Sequence, residues 1–222
     1  MRFLYIDDIL RGQAWAIQES HLRQRLGQLL FLLVAFGLTY GLVMGSYPGD
    51  YGPCGLQMLY SALKVPVLLM GTFLLSLPSF FVVNSLLGLR DDFGYAMRAL
   101  IATQVGLTIV LASFAPFTIL WYVSFANYRG AILFNTLMFA TASVAAQRLL
   151  KRFYQPLIDK DPRHRKLLRC WIFIYGFVGI QMGWLLRPFI GNPEAATTFF
   201  RDETWGNAYI KLIEIFKAFI GF

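Results

Sequence analysis

The chain has 222 residues, of which 57% are hydrophobic, 17% aromatic and only 14% charged, with a formal net charge of +8. A soluble domain carries about 45–50% apolar and about 25% charged residues, and its surface-to-volume ratio limits how much apolar surface it can hide. The composition excludes most soluble enzymes, disordered tails and disulfide scaffolds and points to lipid as the solvent; Cys54 and Cys170 make neither a disulfide framework nor a metal set.

In residues 1–25, Phe3, Leu4, Ile6, Ile9, Leu10, Trp15 and Ile17 are mixed with charges, the pattern of an amphipathic interfacial helix. This lead has no apolar h-region, so a cleavable signal peptide is not expected. A bilayer needs about 20 mainly apolar residues per helix. Five stretches meet that length: residues 26–45, 64–89, 99–125, 131–150 and 167–190. Pro66 and Pro78 in the second and Pro116 in the third should kink their helices rather than break them. The fold expected is all-α, a polytopic helical integral membrane protein. Its five transmembrane helices occupy residues 26–190, after the lead at 1–25. An extracytoplasmic loop and an amphipathic C-terminal helix follow at 191–222.

Two spans carry glycine seams. Gly37, Gly41 and Gly45 recur every fourth residue in the first, and Gly176, Gly179 and Gly183 mark the fifth. Glycines on one helical face let backbones approach, which is how helices associate in lipid without a hydrophobic drive. These six are the expected helix-packing residues, within the monomer or between subunits. Among the polar side chains inside the spans are Asn84, Gln104, Asn135 and Gln181, expected either to bond between helices or to line a pore.

Lys and Arg set the orientation. With the N-terminus in the cytoplasm, fourteen of the twenty fall on the inner side. Eight of those lie between the fourth and fifth spans, including Lys151, Arg152, Arg163, Arg165, Lys166 and Arg169. The positive-inside rule then places the C-terminus outside after five crossings, in a membrane of the bacterial inner type. The basic loop should meet anionic lipid headgroups or a cytoplasmic partner, and no nucleic acid is expected.

Catalytic equipment is not visible. All twelve acidic residues fall in loops or terminal segments, and His21 and His164 lie far apart in the chain. No metal motif, paired intramembrane aspartates or Ser/His dyad can be assembled, so no catalytic, metal or cofactor residue is expected and the chain is not read as an enzyme. A weaker reading uses the Arg90-Asp91-Asp92 turn for lipid handling.

The fifth span ends in a dense cluster where Arg187, Glu194 and Arg201 are expected to form an outer-face ionic network. The stretch WLLRPFIGNP at 184–193, with the FFR that follows, resembles uncharacterised bacterial Yip1-like polytopic membrane proteins. That resemblance implies a membrane organiser or partner-binding protein without an active site. The function expected is a non-catalytic integral membrane subunit, held by helix packing in a homo-oligomer or with other subunits of a membrane complex. The alternative is a homo-oligomeric channel lined by uncharged polar residues.

Overall fold

The structure, a computed structural model, describes residues 4–12, 22–47, 54–125, 127–191 and 197–200. Among them the regular elements are all helical: α1 (Leu4–Leu10), α2 (Leu22–Gly45), α3 (Cys54–Leu86), α4 (Phe93–Ser113), α5 (Ala115–Ser124), α6 (Tyr128–Lys160) and α7 (Arg163–Leu185), with a short 3-10 turn at Arg90–Asp92 before α4. Among the described residues five stretches are long and apolar enough to cross a membrane: Leu26–Gly45, Gly55–Leu86, Arg90–Ser124, Tyr128–Lys160 and Arg163–Leu185. The chain is thus a polytopic helical membrane protein.

Helix α2 is the centre of the bundle. Its apolar side chains run all round the helix, as befits a helix surrounded by protein and lipid. It packs against α3 on one side and α4 on the other, and α7 then lies on α3 while α6 lies on α4. The order in space is therefore α7, α3, α2, α4, α6. This arc returns on itself where α6 joins α7 through only Asp161 and Pro162. The end of the bundle holding that turn carries most of the basic residues and is called the basic end. Helix α1 tucks against α4 there, with Ile9 fully buried in the core and Arg11 bonded to Asp7 at 2.8 Å.

Several expected boundaries move. The second span begins near Cys54 rather than at Lys64, so Lys64 lies ten residues inside α3, about 15 Å from its start. A cation therefore sits within a membrane-spanning helix, where none was expected. The third span is two helices: Phe114 interrupts it, and Pro116 falls in the first turn of α5, where its missing N–H costs nothing. The basic loop is not a loop. Lys151 and Arg152 continue α6, and Arg163, Arg165, Lys166 and Arg169 open α7. Lys, Arg, Gln and Leu are good helix formers, and α6 runs past Pro156 to Lys160 before Asp161 and Pro162 end it. All six basic side chains are exposed on these helical ends.

Candidate functional site

A cleft of about 770 Å³ separates α6 from α7 above their short turn. Leu68, Leu69 and Thr72 of α3 and Thr103, Gln104 and Leu107 of α4 form its floor. The α6 wall carries Ile132, Asn135, Thr136, Phe139, Ala140, Ser143 and Gln147; the α7 wall carries Trp171, Tyr175, Ile180 and the three seam glycines. Ile132, Thr136, Ala140, Gln147, Gly176 and Ile180 are exposed, so the cleft opens sideways between the two helices toward the surrounding lipid.

The basic end of the cleft is closed by Leu150 and Trp171, whose indole packs edge-on against Phe73 and Phe80 of α3. The opposite end is roofed by residues 187–190, which leave α7 as a strap. Three side chains of α3 hold that strap by its carbonyls. Lys64 Nζ donates to Pro188 O at 2.6 Å, Gln57 Nε2 donates to Phe189 O at 3.2 Å, and Ser61 Oγ donates to the same Phe189 oxygen. Gln57, Ser61 and Lys64 are spaced four and three residues apart, which puts them on one stripe of α3. Lys64 is fully buried, with its ammonium 4.8 Å from the centre of the Phe199 ring. A carbonyl and a ring face give this cation favourable contacts in a medium where charge is expensive. Arg187 stacks its guanidinium 3.3 Å from the centre of the Trp184 ring and lines the strap end of the cleft.

The polar residues expected within the spans divide. Asn135 is a structural hub: its Nδ2 donates to Tyr122 OH at 2.8 Å and to Ala131 O at 2.8 Å, and its Oδ1 accepts from Tyr40 OH at 3.0 Å. Tyr122 donates in turn to Met44 O at 3.0 Å, which ties α5 and α6 to α2. Gln104 Oε1 accepts from Tyr175 OH at 2.8 Å and bridges α4 to α7 across the cleft floor. Asn84 is fully buried near the end of α3, with neither amide atom bonded among the described residues. Gln181 is half-buried on α7.

The two glycine seams also divide. Gly41 and Gly45 lie against the α3 backbone. A Cβ on Gly41 would stand 2.6 Å from Ala62 Cα, and one on Gly45 would stand 2.7 Å from Gln57 O. Gly37 faces Pro66, 3.1 Å from where its Cβ would be. Among the described residues the α7 seam packs against no helix. Gly176 and Gly183 have nothing within 4 Å of a built Cβ, and Gly179 meets only the Thr72 methyl at 3.5 Å. Of the expected outer network, Arg187 is placed as above, while Glu194 and Arg201 lie outside the described residues, as does the C-terminal segment 207–222.

At the basic end, the α3–α4 turn is tied to the α6–α7 turn. Asp92 accepts from Lys160 at 2.6 Å and lies 3.3 Å from Nε2 of the fully buried His164, while Arg163 Nη1 donates to Leu87 O at 2.8 Å. Asp92 of the acidic turn is thus engaged in holding two turns together, while Asp91 is exposed. Lys64 and His164 are the ionisable residues that sequence reasoning missed. The stripe Gln57, Ser61, Lys64 was the available signal for the first; nothing in the spacing pairs His164 with Asp92, 72 residues away.

Among the described residues no group of three metal-ligating side chains is present. No family model, curated protein or solved structure matches the chain.

Proposed function

We propose that the protein is a non-catalytic integral membrane subunit whose α6–α7 cleft holds a lipid taken sideways from the bilayer. The observation that carries this reading is the cleft itself. It is walled mainly by apolar side chains and bare glycines, with a few convergent hydroxyls and amides, the usual character of a site for an apolar ligand. It lies open to lipid between two spanning helices, so a lipid chain needs no aqueous passage to enter. The basic helical ends around Lys151 and Arg165 engage anionic headgroups or an acidic partner, on the cytoplasmic side that the positive-inside rule favours.

Gly183→Leu tests the reading. Its Cβ has room, and its isobutyl group would enter the cleft. Native mass spectra of the wild type in mild detergent should show retained lipid, and the Gly183→Leu spectra should lose it with the fold intact. Equal lipid retention in both would overturn the reading. A pore formed by several copies is the second reading, favoured by Thr136, Thr141 and Gln147 on the exposed surface of α6. The same spectra separate them, since a ring of subunits supports the pore.

A further inference from the structure

The polar groups on the cleft floor lie at mid-depth. Thr72 falls near the middle of α3, Gln104 near the middle of the Arg90–Ser124 stretch, and Tyr175 near the middle of α7. Gln104 is about nine-tenths buried, and Tyr175 OH holds its Oε1 at 2.8 Å, which turns the Nε2 hydrogens toward the cleft. No described acceptor takes those two hydrogens, and the Thr72 hydroxyl on the facing helix likewise has no bond among the described residues. Beside them the Trp171 and Tyr175 rings lie 5.5 Å apart. The charge in the cleft lining is Arg187, away at the strap end.

We infer that the cleft selects a neutral lipid with a flat carbonyl-bearing head, of the quinone class, whose carbonyl oxygen accepts from Gln104 Nε2 and Thr72 Oγ1. This rests on the lipid-holding reading above. Three features of the floor choose the ligand. Donors that open on the cleft without a partner call for a ligand with an acceptor, since a ligand that covered them and left them unpaired would bind at a cost. No charged side chain among the described residues lines the cleft at this depth, which calls for a neutral group. The paired aromatic rings suit a planar head. A glycerophospholipid does not meet these demands, because its ester oxygens stay at the interface, about 15 Å from the bilayer centre.

The test uses the full-length protein in phosphatidylcholine nanodiscs, titrated with decyl-ubiquinone and, for comparison, n-decane. The quinone should bind with saturation and the alkane without it. Gln104→Leu should weaken quinone binding about tenfold, and the isosteric Thr72→Val should weaken it by a smaller factor. Isotope-edited infrared spectra should show the carbonyl stretch of the bound quinone lowered in the wild type and not in Gln104→Leu. Where Gln104→Leu alone does not fold, the pair Gln104→Leu/Tyr175→Phe leaves no stranded phenol, and Thr72→Val carries the measurement independently. Unchanged affinity in these variants, or an unshifted carbonyl stretch in the wild type, overturns the inference. If Gly183→Leu still expels phospholipid in that event, the lipid-holding reading survives; if Gly183→Leu retains it, both fall.

Discussion

Helices α2 and α7 present glycines at nearly the same spacing, with different surroundings. Along α2, Gly41 and Gly45 are covered by the α3 backbone at distances where a methyl group cannot fit. Along α7, Gly176 and Gly183 stand bare on the wall of a cleft. In α2, removing side chains gains van der Waals contact between backbones, the main attraction available to helices in lipid. In α7 the same removal leaves space. A glycine motif thus fixes which face of a helix is smooth and says nothing about what lies against it.

The largest effect should come from the closed seam. Gly41→Ala places a methyl group on the Ser61 carbonyl and 2.6 Å from Ala62 Cα, both backbone atoms that cannot swing aside. Prising α2 from α3 should cost about 3 kcal/mol, at the upper end of overpacking penalties. Gly183→Ala meets nothing and should be neutral or up to about 1 kcal/mol stabilising through helix propensity. Unfolding in a detergent–denaturant series measures both. Similar losses in the two variants would break the contrast between the seams.

A smaller effect should come from the strap that roofs the open cleft. Lys64→Met keeps the length of the side chain and removes the donor to Pro188 O. A hydrogen bond from a charged donor contributes about 1.5–3 kcal/mol, and Ser61 and Gln57 still hold Phe189, so the expected loss is about 2 kcal/mol. Amide exchange at 189–191 should accelerate, while the α2–α3 contact stays protected. Unchanged exchange in the strap would mean that Lys64 does not hold it.

The five spans were legible because each is a long apolar run, which lipid requires of any helix that crosses it. Their ends were not, because apolarity and helicity are different properties. Helix α6 continues through Lys151, Arg152 and Tyr154 since these residues are content in a helix outside lipid, and a hydropathy pattern cannot see them as helical. Lys64 marks the opposite error. A lysine reads as the edge of a membrane span, yet its partners, the Pro188 carbonyl and the Phe199 ring, come from more than 120 residues further along the chain. The cleft was invisible for the same reason. Gly176, Gly179 and Gly183 were picked out, as were Gln104 and Asn135, but only the splay of α6 from α7 decides that the first three face space while Asn135 is consumed by Tyr40 and Tyr122.

The smallest effect should be found at the joint on which that splay depends. Asp161 accepts from the Arg163 backbone N–H, the first of α7, at 2.8 Å, and from Arg163 Nη2 at 2.7 Å. These bonds from the Arg163 side chain and backbone hold the Asp161 carboxyl below the usual carboxylate range. Its pKa is lower in the folded chain than in the unfolded one, so the stabilisation is complete above the ordinary value of about 3.9 and is lost as pH falls through the folded value. The pair is exposed, so its contribution at neutral pH is small and salt-sensitive. Asp161→Asn should leave the neutral melting temperature nearly unchanged and flatten the decline seen in the wild type below about pH 4. Identical acid limbs in the two proteins would show that the joint is set by Pro162 and the Lys160–Asp92 and Arg163–Leu87 ties alone, with the Asp161–Arg163 bonds contributing nothing to how α6 and α7 diverge.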